Sequence, residues 1–163
     1  MALIESERTL STNVKELQKK LKVNLRRDHT LKMALTRRSY KNEHKDVERD
    51  DNERLEFLGD SVLKLIISEH LYHNSKDPEG EMTTLRSKIE KQDTLASIAK
   101  NIGLKEHILM SKGEKKITGD GESKILADTL EAVIGAIFLD QGLDNTREFL
   151  KETIFWNLIQ VLI

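Results

Sequence analysis

Two stretches of this chain hold carboxylates in segments that are otherwise apolar. Residues 125–139, ILADTLEAVIGAIFL, are apolar except at Asp128, Thr129 and Glu131. A helix apolar nearly all round belongs at the centre of a domain. Lys124 lies four residues before Asp128 and can pair with it, but no Lys or Arg occurs between Lys124 and Arg147, so Glu131 has no helical ion-pair partner. Leaving an ionised carboxylate buried without a partner costs several kcal/mol or forces it to hold a proton.

In ERLEFLGDSVLKLII (53–67), Glu53, Glu56 and Asp60 fall at i, i+3 and i+7. At about 100° per residue they form one stripe about 60° wide. Leu55, Leu58, Val62, Leu65 and Ile66 take much of the remaining surface. A single i, i+3 acidic pair is ordinarily a solvated helix face, and Asp60 has Lys64 four residues on. Two such pairs, each in an otherwise apolar helix, weaken that account. If the two helices cross, four carboxylates converge, and each like-charge pair at about 4 Å costs about 4 kcal/mol at an effective dielectric near 20. A divalent cation removes that cost, and all-oxygen ligation favours Mg²⁺, Mn²⁺ or Ca²⁺ over zinc. A di-iron bundle would need Glu-x-x-His pairs, and the chain has none. Gly59 and Gly135 sit on or beside these acidic faces, where a missing side chain allows close helix approach.

The elements that must position these acids read as helices. Val14, Leu17, Leu21 and Leu25 recur at helical spacing, and Leu31, Met33, Ala34 and Leu35 begin another segment. Residues 41–52 are polar and read as a loop or a solvated helix edge. A long helix is expected from Glu53 to Tyr72, ending before the breakers Pro78 and Gly80. A single helix is expected over 82–102, capped by Gly103. Residues 111–123, SKGEKKITGDGES, read as a loop. Helix resumes over 123–140, stops at Gln141-Gly142, and a last helix begins near 144. No segment shows sustained period-two alternation, so the expected class is all-α, with residues 1–8 as a tail and 9–163 as one domain.

Composition narrows the function classes. The chain has 163 residues, no cysteine and one proline, which excludes disulfides, Cys-ligated zinc, iron–sulfur clusters and thiol nucleophiles. No run of eighteen apolar residues exists to span a membrane. The N-terminus lacks the apolar core of a secretory signal, so an intracellular, cytoplasmic location is expected. Net charge is −1, which is not the basic footprint usual for nucleic-acid binders. Residues 1–50 nonetheless carry 13 Lys/Arg against 8 Asp/Glu, so the excess of acid lies further along. The five histidines form no motif, and His70 and His73 read as surface or boundary residues. Trp156, with Phe155, Ile159, Val161, Leu162 and Ile163, makes an apolar end that reads as core packing.

The string NERLEFLGDS (52–61) resembles the signature of ribonuclease III, the double-stranded-RNA endonuclease. The likeness extends to ALTRRSY (34–40), PEGEMTTLRS (78–87) and KILADTLEAVIGAIFLD (124–140). Carried over position by position, it places the metal-binding and catalytic carboxylates on Glu56, Asp60, Asp128 and Glu131, with auxiliary acids on Glu53 and Glu79. It implies Mg²⁺ as cofactor, with Mn²⁺ able to substitute, and a homodimer in which the signature helices meet and Phe57 packs into the partner. Duplex RNA would lie along an acidic valley flanked by cations, for which Arg86, Lys88, Lys112, Lys115, Lys116 and Lys124 are the candidates. Arg37 departs from the His usual in the family's ALTHRS block, and the polar segment 41–51 is longer than in compact bacterial members. The family's C-terminal double-stranded-RNA-binding domain has no counterpart here, so the expectation is a nuclease-domain form or RNA affinity supplied by a separate partner. Two rivals make other predictions: a catalytically silent RNA-binding relative within a larger particle, and an all-α interaction domain that binds no metal.

Overall fold

The computed structural model describes residues 2–153 and is helical, with no strand among the described residues. Seven α-helices follow in order: α1 (Ala2–Leu21), α2 (Asp28–Ala34), α3 (Arg38–Glu43), α4 (Glu53–Asn74), α5 (Glu79–Ile89), α6 (Gln92–Asn101) and α7 (Asp120–Glu152). Two single 3₁₀ turns, Lys105–His107 and Glu114–Lys116, lie between α6 and α7. None of the described helices is long and apolar enough to cross a membrane. The apolar end formed by Phe155, Trp156 and their neighbours falls outside the described residues.

The nearly all-apolar stretch of α7 is the central element. Ile125, Leu126, Leu130, Val133, Ile134 and Ile137 are all buried. α4 packs against it through a stripe at helical spacing, with Leu55, Val62, Leu63, Ile66, Ile67 and Leu71 buried. Leu95, Ala96, Ile98 and Ala99 of α6 cover a second side, and α2 packs on α7 as well. Leu10, Val14, Leu17 and Leu21 of α1 complete the core. Each such aliphatic side chain contributes roughly 1.5–3 kcal/mol through burial.

The crossing of α4 and α7 is closer than side chains permit. A Cβ on Gly59 would lie 1.7 Å from the Glu131 carbonyl oxygen, and one on Gly135 would lie 2.3 Å from that of Leu55. The two glycines therefore let backbone meet backbone, which is what brings the acids on either side of the contact together.

The expected single helix over 82–102 is instead two. α5 ends at Ile89 and Lys91 is extended (φ −57°, ψ 138°) before α6 begins. The break lets α5 stay on α4 while α6 turns its apolar face onto α7. Gly103 (φ 69°) ends α6 as expected, with the Leu104 N–H donating to the Ala99 carbonyl. Gly142 (φ 80°, ψ −179°) interrupts α7 where the sequence predicts a stop.

An irregular segment links the helices to the site. Thr36 pairs with Leu109 in a lone parallel bridge: Leu109 N–H donates to Leu35 O at 2.8 Å, and Arg37 N–H donates to Leu109 O at 2.9 Å. The Asn52 N–H donates to Thr36 O at 2.9 Å and its side-chain amide to Ala34 O at 3.1 Å, which anchors the start of α4 to the same segment.

Candidate metal centre

The cleft at the α4–α7 crossing has a volume of about 480 Å³ and is lined by Glu53, Glu56, Asp60, Asp128 and Glu131, together with Arg37, Arg38, Glu114 and Lys124. Glu56, Asp128 and Glu131 each offer a carboxylate oxygen, and these atoms all lie within 4.8 Å of one another. The three come from both sides of the glycine contact, so the close crossing is what assembles them.

Each acid meets different surroundings. Asp128 is buried and accepts hydrogen bonds from Lys124 Nζ at 3.1 Å to both oxygens, and from Arg37 at 3.3 Å. Asp60 lines the cleft but lies outside the group of three, and its carboxylate accepts from Lys64 Nζ at 2.7 Å. Glu53 is ion-paired with Arg38 at the rim. Among the described residues no Lys or Arg pairs with Glu131. Burial pushes its carboxyl up to about 8, and the charges of Asp60, Glu56 and Asp128 add to the shift. Glu56 is also raised, first by burial and then by Asp128.

Glu79 is not brought to this cleft. It is exposed in the first turn of α5, where it accepts a hydrogen bond from the Thr83 hydroxyl at 2.8 Å. Of the candidate cations, only Lys124 lines the cleft. Arg86 is engaged elsewhere, donating to Ser68 Oγ at 2.9 Å and facing Glu90 at 3.6 Å. Lys88, Lys112, Lys115 and Lys116 are exposed, the last two on the 3₁₀ turn before α7. His70 is half-buried and His73 exposed, as expected. Phe57 points away from the core and is 78% exposed.

Glu114 is the site residue that sequence spacing missed. It reaches the cleft from the 3₁₀ turn, accepts from Arg37 at 2.9 and 3.3 Å, and is also hydrogen-bonded by the Ser39 hydroxyl. Its own N–H donates to Ser111 Oγ at 3.0 Å. Burial works against the charge of Arg37, but Glu114 and Asp128 outweigh it and raise the guanidinium pKa. No local pattern joins Arg37 to a residue 77 positions away.

The donor set suits a hard divalent cation: three carboxylate oxygens, no nitrogen or sulfur, and one acid with no ion-pair partner among the described residues. The profile of the family described as Ribonuclease-III-like matches residues 27–158. Ribonuclease 3 of Clostridium tetani is 46% identical over 149 residues, covering 91% of this chain and 62% of that protein. Ribonuclease 3 of Oceanobacillus iheyensis is 43% identical over 144 residues, 88% of this chain and 63% of that protein. The chain thus spans less than two thirds of the curated relatives it matches. A solved nuclease domain of ribonuclease III from Campylobacter jejuni, described for structural flexibility in a region involved in dimer formation, superposes with a TM-score of 0.76 at 34% identity, covering 92% of this chain and 98% of that one.

Proposed function

Because the chain belongs to the ribonuclease-III-like family, we propose that it is a divalent-cation-dependent endoribonuclease that hydrolyses phosphodiester bonds in both strands of double-stranded RNA. The products in this reading are 5′-phosphate and 3′-hydroxyl ends with short 3′ overhangs. The observation that carries it is the convergence of Glu56, Asp128 and Glu131, with Glu131 half-buried among like charges and without an ion-pair partner among the described residues.

Glu56, Asp128 and Glu131 would hold Mg²⁺, with Mn²⁺ able to substitute, and Asp60 at the cleft edge would complete the acidic set. When bound, the cation supplies Lewis acidity and lowers the pKa of a water. Lys124 holds both Asp128 oxygens and so fixes the direction in which that carboxylate faces the cleft. Glu53 and Arg38 pair at the rim, where Arg38 is exposed enough to meet a phosphate. Lys112, Lys115 and Lys116 stand exposed on the segment beside the cleft and are the better candidates for backbone contacts to A-form RNA, which is recognised by shape and 2′-hydroxyls rather than sequence. Glu79 and Arg86, away from the cleft, would act only through longer-range contact with RNA.

A homodimer accords with the apolar surface. Phe57 (78% exposed) and Leu139 (59% exposed) flank a hollow also lined by Met33, Leu55 and Leu58. A second copy of this chain would cover both residues, and two clefts would then serve the two strands of one duplex.

The test is cleavage of a long end-labelled RNA duplex with Mg²⁺ or EDTA, beside Glu131→Gln. The expected result is Mg²⁺-dependent cutting by the parent and a loss of about 10³-fold or more in the variant. Undiminished cutting by Glu131→Gln would overturn the assignment of the cluster.

A further inference from the structure

The nuclease reading leaves Arg37, a lining residue of the cleft, without a role. Arg37 is the only Arg or Lys that touches both a carboxylate of the candidate metal cluster and a second acid across the cleft, among the described residues. Its guanidinium lies 3.3 Å from Asp128 and 2.9 Å from Glu114, and its side chain is only 15% exposed. It is not free to swing away. The Arg37 N–H is bonded to Leu109 O at 2.9 Å, and Glu114 is held in turn by Ser39 and by its own N–H on Ser111 Oγ. A fixed positive charge is thus fastened to an acid that a divalent cation would need.

Orientation of Asp128 does not require this contact, because Lys124 already binds both of its oxygens. What Arg37 adds is charge. The Lys124 side chain is 63% exposed, so solvent screens its charge, whereas the guanidinium, 15% exposed and tethered, is screened far less. A like charge held a few ångströms from a divalent ion in a half-buried cleft opposes its binding.

We propose that Arg37 sets the divalent-cation affinity of the cluster, acting as a fixed internal cation that holds the metal requirement high. This deepens the nuclease reading and depends on it. Arg37 is a positioning and charge-setting residue here, not a catalytic one, since it acts through Asp128 and the local field. A neutral side chain of similar length leaves Glu114 without its counter-ion and Asp128 with Lys124 alone, so the cleft becomes more negative and binds the ion more tightly.

The experiment is isothermal titration of Mn²⁺ into the whole chain, for the parent, Arg37→Met and Arg37→Lys, with melting temperatures in EDTA to follow folding. The expected result is about tenfold tighter Mn²⁺ binding by Arg37→Met and affinity within about twofold of the parent for Arg37→Lys, which keeps the charge but not the fork. Should Arg37→Met fail to fold, Arg37→Gln, which retains a donor for Glu114, carries the same expectation. Unchanged or weaker Mn²⁺ binding by the folded neutral variant, with only the EDTA melting temperature moved, means Arg37 is a loop tether and overturns the proposal. Tightening by Arg37→Lys equal to that of Arg37→Met overturns it too. A parent that binds no Mn²⁺ at all instead defeats the underlying nuclease reading.

Discussion

Asp128 and Glu131 stand one helical turn apart on α7, yet the two walls of the cleft treat them oppositely. Asp128 is the more buried of the two and is met by Lys124 and Arg37. Glu131, less buried, has no ion-pair partner among the described residues; burial and the charges of Asp60, Glu56 and Asp128 outweigh the more distant Lys64 and push its carboxyl up to about 8. Burial alone therefore does not decide what an acid on this helix experiences. The neighbours decide it: Arg37 at the start of α3 and Lys124 one turn back on α7 bond to Asp128, while α4 sets Glu56 and Asp60 near Glu131 and gives its one nearby cation, Lys64, to Asp60. Among the described residues the Asp128 wall holds its counter-charges at hydrogen-bond distance, and Glu131 has none so close.

The harshest way to break this contrast is to separate the helices. Gly59→Val places a side chain where even a Cβ would stand 1.7 Å from a backbone oxygen. Backbone on both sides cannot yield as a flexible side chain does, so the expected loss exceeds the usual overpacking cost of about 1–3 kcal/mol. Denaturant unfolding should show a chain largely unfolded or lacking its cooperative transition, with both walls lost together. A near-parental midpoint would mean that the crossing is not as close as described.

A milder pair of substitutions sharpens the contrast directly. In EDTA at pH 8, Asp128→Asn should destabilise the chain by about 1–2 kcal/mol, because it strips a half-buried guanidinium of one partner. Glu131→Gln should do the reverse, stabilising by about 1 kcal/mol once the partial exposure of the group is allowed for. Urea unfolding of both variants measures this. Changes of the same sign would show that the two walls are equivalent.

The smallest effect is in pH dependence. A carboxyl whose folded-state pKa lies above its unfolded value binds more protons when folded, so stability declines as pH rises between the two. For Glu131 that window runs from about 4.5 to about 8. In EDTA the melting temperature should therefore fall by about 2–4 °C across it, the equivalent of about 1 kcal/mol for a chain of this length. The slope should flatten in Glu131→Gln and largely disappear with saturating Mn²⁺ in the parent. An equal slope in the variant would assign the titration to another group.

The sequence by itself determined the helical class, the apolar character of α7 and the acidic stripe on α4, because side-chain period and helix polarity are local properties. It also determined that Glu131 has no helical counter-ion and that Lys124 and Lys64 do face Asp128 and Asp60, since pairs three and four residues apart are neighbours on any helix. Gly59 and Gly135 were legible as places for close approach, though not the partner of each. The division of 82–102 into α5 and α6 was not legible, because the break at Lys91 serves packing on two different helices rather than any local preference. Only the tertiary structure decided that Glu56, Asp128 and Glu131 form the tight group while Glu79 stays outside it. It alone brought Arg37 to Asp128 and Glu114 across 91 and 77 residues of chain. Those encounters depend on where a bridge between Thr36 and Leu109 fastens two irregular segments, and side-chain spacing along a helix carries no information about that.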